Sequence, residues 1–175
     1  MKNSLILTIL LLILCPSCSY SQWKEDEKHV EDTTARKAVN GFGANLVLAD
    51  RPKEFMQEWS KPEKPNLWST SVAKRGEALA AFILFAGCLP DNRGVCNTEV
   101  DFQVFKPDGS LWAERKGLEL WKKVAPPAAN TQLSTANIII RIQPNDPAGE
   151  YKVKASVRDL NRKVSFDLEE KFKVE

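Results

Sequence analysis

One histidine in 175 residues is the first constraint this chain imposes on its own chemistry. His29 lies in a solvated polar stretch, so no Ser-His-Asp or Cys-His arrangement can form within a folded domain. Neither a GxSxG elbow nor a phosphate-cradling GxxxxGK[ST] loop occurs. Zinc-type ligand sets are missing as well, and carboxylates such as Glu99 and Asp101 alternate onto what reads as a solvated strand face. Net charge is only +2, from 25 basic and 23 acidic residues that are well mixed, which leaves no electrostatic footprint for nucleic acid. No apolar run approaches the roughly 20 residues needed to span a bilayer, so an integral membrane span is not expected. These absences point away from an enzyme and away from any cofactor.

What is present begins with a targeting pattern at residues 1–21. Lys2 precedes an apolar run over 5–14, and Ser19 and Ser21 stand at −3 and −1 of a cut before Gln22. The reading is a secretory signal peptide, which exports the mature protein. An uncleaved anchor is disfavoured by the shortness of the run. The other alternative is a lipid anchor at Cys18, which Ser17 suits, although Cys15 stands where such signals usually carry Leu. Secretion without retention in the envelope is a further outcome of export.

Export settles the sulfur chemistry. Only Cys88 and Cys96 remain beyond the signal, at the two shoulders of a turn-forming loop (89–95) between strands read as paired. In an oxidising compartment that arrangement predicts a disulfide, worth about 2–3 kcal/mol by loop-closure entropy. A redox pair or metal site fits less well, because the spacing is not CxxC.

Residues 22–41 read as a polar tether and 42–175 as the folded domain. A first strand covers 43–49. Asp50 is placed as the N-cap of a short helix with Pro52 and Glu54 in its first turn, running to about Trp59, with Phe55, Met56 and Trp59 as its apolar face. A second strand is expected at 67–73. The run 78–86 is almost wholly apolar, as a strand buried on both faces should be. Val100, Phe102 and Val104 alternate with polar residues, KPDGS at 106–110 is a turn, and 111–115 returns as a strand extending toward Trp121. VAPPAAN at 124–130 is a crossing loop between sheets.

The last 40 residues are the most regular. Ile138, Ile140 and Ile142 alternate with Asn137, Ile139 and Arg141; two further alternating runs follow, separated by turns at 146–149 and 159–162. The register of Phe172 and Val174 puts Glu170 inward, which calls for a bulge or a rim position there. About eight short strands with regular turns predict an all-β fold: an immunoglobulin-like antiparallel β-sandwich with one short helix after the first strand.

DPAGEYKV at 146–153 resembles the tyrosine-corner region of immunoglobulin-like sandwiches, with Asp146, Gly149 and Tyr151 in the structural positions and Val153 where antibody domains carry cysteine. With RGE at 75–77, FAGC…C at 85–96 and PDGS at 107–110, the chain over 43–174 resembles a group of uncharacterised exported bacterial proteins. That resemblance implies an envelope location in a diderm bacterium and implies no activity.

Two binding roles fit. One is a protein-interaction module of the envelope, accessory, chaperone-like or inhibitory, whose partner is another envelope or secreted protein. LWAERKGLELW at 111–121 is the candidate surface, with Trp112 and Trp121 around Arg115, Lys116 and Glu119. The other is a carbohydrate- or peptidoglycan-binding module in which Trp112, Trp121 or Trp68 stacks on sugar.

Overall fold

The computed structural model describes residues 23–25, 28–63 and 65–174. The signal peptide expected over residues 1–21, with Cys15 and Cys18, lies outside the described residues. Eleven strands and one helix follow in order: β1 (Lys24–Glu25), β2 (Lys28–His29), β3 (Arg36–Val39), β4 (Phe42–Ala49), α1 (Pro52–Trp59), β5 (Val72–Ala73), β6 (Ala78–Ala86), β7 (Thr98–Phe105), β8 (Leu111–Trp121), β9 (Gln132–Arg141), β10 (Gly149–Asp159) and β11 (Val164–Val174).

A four-stranded sheet in the order β3-β4-β6-β9 faces a five-stranded sheet in the order β5-β11-β10-β7-β8. All pairings are antiparallel except β5 with β11, and β1 and β2 form a separate two-stranded ribbon. This strand order and the tyrosine corner described below make the fold an immunoglobulin-like sandwich with a short helix after β4. Residues that alternate inward on both sheets, among them Leu46, Ile83, Phe102, Ile140, Tyr151 and Phe172, form one core between the layers.

β6 is buried on both faces, as its composition predicts, and the structure supplies the cause. Leu79, Ala81, Ile83 and Phe85 face the main core, while Ala80 and Phe82 form a second cluster on the outer side of the sheet. α1 covers that outer cluster. The Phe55 ring stacks on Phe82 with centroids 4.7 Å apart, and Trp68 meets Phe55 edge-on at 5.7 Å.

Several local expectations are corrected. β6 and β7 belong to different sheets, so the Cys88–Cys96 loop is an inter-sheet crossing and not the tip of a hairpin. Part of the polar tether is ordered: Arg36–Val39 pairs with β4 as an edge strand. Asp50 does not cap α1. The N-cap is Arg51, without a side-chain cap bond, and the Asp50 carboxylate instead accepts the Trp68 indole N–H at 3.1 Å. The helix's apolar face narrows to buried Phe55, since Met56 is exposed. The strand expected at 67–73 shrinks to Val72–Ala73, because Leu67 and Trp68 are drawn onto the outer cluster. Glu170 is accommodated by position: β10 and β11 pair without a register shift, and Glu170 lines a small cleft between the layers beside Thr70 and Ser71.

Candidate functional site

The segment singled out from sequence, β8, is the edge of the five-stranded sheet. Its pairing with β7 slips at three places, and Gly117, at φ +62°, donates its N–H to Asp101 at 2.6 Å. Arg115, Lys116 and Glu119 are exposed. The two tryptophans are turned inward and half-buried. Trp112 sits edge-on to Tyr151 at 5.6 Å, and Trp121 packs on Phe85 at 5.6 Å while its indole N–H donates to the Val124 carbonyl. The structure therefore separates the charged trio from the aromatic pair. Trp68 is engaged on two sides, by Phe55 at its edge and by the Arg51 guanidinium 4.5 Å over its ring. All three tryptophans are partly buried, each with at least one ring contact inside the domain.

The neighbouring face of the five-stranded sheet is an ion-pair lattice. Arg158 donates to both oxygens of Asp101 at 2.7 and 2.8 Å, which holds the Asp101 carboxyl below the usual carboxylate range. Lys154 and Ser156 converge on Asp167 in the same way, and Lys122 pairs with Glu99. Cross-strand complementarity of this kind keeps a sheet face solvated.

A second concavity lies on the other sheet. A groove of about 890 Å³ runs between the N-terminal half of α1 and the outer face of β9. Pro52, Met56, Ala78 and Ile139 supply its apolar surface, and Ile139 is 47% exposed. Asp50, Arg51, Lys74 and Glu77 at the rim pair among themselves. Lys53 and Arg141 have no carboxylate partner among the described residues, against one such acid, Glu54. β9 has no strand on its far side among the described residues, so a free ladder edge borders the groove. Sequence reading missed this site because its residues come from three distant segments. The available signal was Ile139, an isoleucine at an outward position of an alternating strand.

The two ends of the sandwich are each latched. At one, Tyr151 donates its hydroxyl to the Pro147 carbonyl at 2.9 Å, as the tyrosine corner predicts. Arg75 donates to the carbonyls of Gln143, Pro144 and Asp146, and the Asp146 carboxylate accepts from the Gln143 N–H. Gly149, at φ +131°, lies so close that an added Cβ would sit 3.0 Å from Pro107. RGE, PDGS and DPAGEY are thus three parts of one latch. At the other end Cys88 and Cys96 stand at bonding distance, S–S 2.12 Å, which points to an oxidising compartment.

Among the described residues no helix is long and apolar enough to cross a membrane, and no cluster of three His, Cys, Asp or Glu side chains is poised for a metal ion. No protein-family model and no curated protein matches the chain. Among solved structures, a family 123 glycoside hydrolase from Clostridium perfringens overlaps with a TM-score of 0.40 and 14% identity, over 75% of this chain and 27% of the hydrolase. A β-glucuronidase from Parabacteroides merdae overlaps at 0.34 and 14%, over 61% of this chain and 12% of the enzyme. A CARDB domain from Pyrococcus furiosus overlaps at 0.37 and 10%, over 83% and 99%. The chain spans about a quarter of the first of these proteins, and at these scores the overlaps carry no inference about activity.

Proposed function

We propose that this protein is a non-enzymatic, exported cell-envelope module of the periplasm that binds another envelope or secreted protein, in an accessory, chaperone-like or inhibitory role. The observation that supports this reading is the free edge of β9 beside the α1 groove, with Ile139 exposed on its floor. An extended segment laid along β9 would gain main-chain hydrogen bonds, and its alternate side chains would enter the groove. Surplus Lys53 and Arg141 favour a segment with an acidic residue next to an apolar one. The ring contacts of Trp68, Trp112 and Trp121 within the domain support this reading over the alternative of a carbohydrate-binding module.

Photo-crosslinking in intact cells tests it. A photoreactive residue at position 139 should give a protein adduct that disappears with Lys53→Glu/Arg141→Glu, while the same probe at Lys116 on β8 should give none. Adducts from 116 and not from 139 would move the surface to β8, and adducts from neither position would end the reading.

A further inference from the structure

The end of the sandwich that carries the disulfide has a second use. Three loops meet there: 87–97, 122–131 and 160–163. They are stitched together by main-chain bonds, from Cys96 N–H to the Lys123 carbonyl, Ala125 N–H to Gly94 and Leu160 N–H to Asn97, each at 2.9 Å. Asn161 adds two more from its side-chain amide, to the carbonyls of Leu89 and Val95. The result is a stiff platform, and each loop presents one aliphatic side chain to water. Val124 is 72% exposed, Leu160 41% and Leu89 37%.

The charges around these side chains are one-sided. The three loops, with Asp159 at their root, carry five cations, Arg93, Lys122, Lys123, Arg162 and Lys163, and two acids. Both acids are occupied. Asp159 is fully buried, and Asp91 accepts from the Arg93 guanidinium and from the N–H groups of Arg93 and Val95. Arg93 pairs with Asp91, Lys122 with Glu99 and Arg162 with Asp159, so Lys123 and Lys163 are the cations of this end that have no carboxylate partner among the described residues.

The chain also arrives here. The Trp23 indole N–H donates to the Lys37 carbonyl, and its ring lies against Gly43 beside the Asn40–Gly41 turn. Arg162 donates to the carbonyls of Asn40 and Gly87, fastening that turn to the loops. Attachment of the N-terminal region to a bilayer would bring this end to the surface first.

We infer that this platform docks on an anionic lipid surface, with Leu89, Val124 and Leu160 entering the headgroup region and Lys123 and Lys163 meeting lipid phosphates. Exposed aliphatic tips flanked by the unpaired lysines Lys123 and Lys163 match the shallow apolar and electrostatic terms of interfacial binding.

Flotation of the full chain with vesicles tests this. Phosphatidylglycerol-containing vesicles should carry the protein upward at low salt, pure phosphatidylcholine vesicles should carry much less, and added salt should release it. V124D/L160D and K123E/K163E should each weaken binding by about tenfold or more, at roughly one kcal/mol per surface charge. Both variants keep the same N-terminus, so the difference belongs to the loops, and both positions are exposed, so circular dichroism and Tm should be unchanged. Equal flotation of the wild type and both variants, or no flotation of the wild type on anionic vesicles, would overturn the inference. So would a protein crosslinked at position 124 whose capture the same variants abolish while vesicle binding is absent.

Discussion

The Asp159 carboxylate accepts the backbone N–H of Leu89 at 2.8 Å, across 70 residues of sequence and between the two sheets of the sandwich. Its other oxygen accepts the Arg162 N–H at 3.0 Å. A fully buried acid thus ties the end of β10 to the disulfide loop. Asp159→Ala leaves both part-buried N–H groups without their partner and should cost about 2–4 kcal/mol, in the lower half of the roughly 2–6 that two fully buried orphaned groups would give. Urea denaturation measures it, and a loss within error of zero would show the tie to be ornamental.

The disulfide closes the same loop, with eight residues of sequence separation between its cysteines. Cys88→Ala/Cys96→Ala should lower stability by about 2–3 kcal/mol from the unfolded side. Because Asp159 and Asn161 grip the loop independently, the folded conformation should persist. The triple variant with Asp159→Ala should lose more than the sum of the two changes, since each restraint covers for the other. Mass spectrometry of unreduced protein should find no free thiols at these positions.

Acid should weaken the Asp101–Arg158 pair in a defined window. The Arg158 hydrogen bonds lower the folded-state pKa of Asp101 below its unfolded value of about 3.9. The stabilisation is therefore complete above the unfolded pKa and is lost as pH falls through the folded one. Asp101→Asn should be less stable than wild type at pH 7, and the gap should close below about pH 4. A gap that persisted at pH 2 would mean the pair acts through something other than charge.

Phe55 and Ile139 should behave oppositely, although both lie over the same sheet face. Phe55→Ala removes the ring stacked on Phe82 and should cost about 3–5 kcal/mol. Ile139→Asp, at an exposed position, should change stability by less than about 0.5 kcal/mol while abolishing the crosslink to a partner. Thermal melts of the two variants separate packing from recognition.

Tyr151→Phe keeps the ring on Phe172 and Trp112 and deletes only the bond to the Pro147 carbonyl. It should cost about 1 kcal/mol without loss of the fold. A change in the near-ultraviolet dichroism beyond the lost tyrosine signal would show that the corner also sets the position of Trp112.

Much of this architecture is written in alternation. β7, β10 and β11 follow their apolar periods residue by residue, and the unbroken apolar run of β6 announces two buried faces before anything is known of what covers them. Alternation does not say which strand lies beside which, so the 87–97 segment reads as a hairpin when it crosses between sheets. Arg36–Val39 is too short and too polar to declare itself, because an edge strand needs only a backbone partner, which β4 provides. Asp50 has the right chemistry for a cap, but the Trp68 indole competes for its carboxylate and wins. The tryptophans of β8 fall on either side of register slips, which is why their spacing gave no warning that both turn inward. The groove was the least legible feature, since residues near 50, 75 and 140 meet only once the sheet exists.

The slipped pairing of β8 also governs how these molecules behave in a crowd. A neighbour laid along that rim would lose its match every few residues, and it would have to desolvate the charged side chains of Arg115, Lys116 and Glu119. Growth of stacked molecules into a fibre is disfavoured from that side, and at the β9 edge a bound partner would block it.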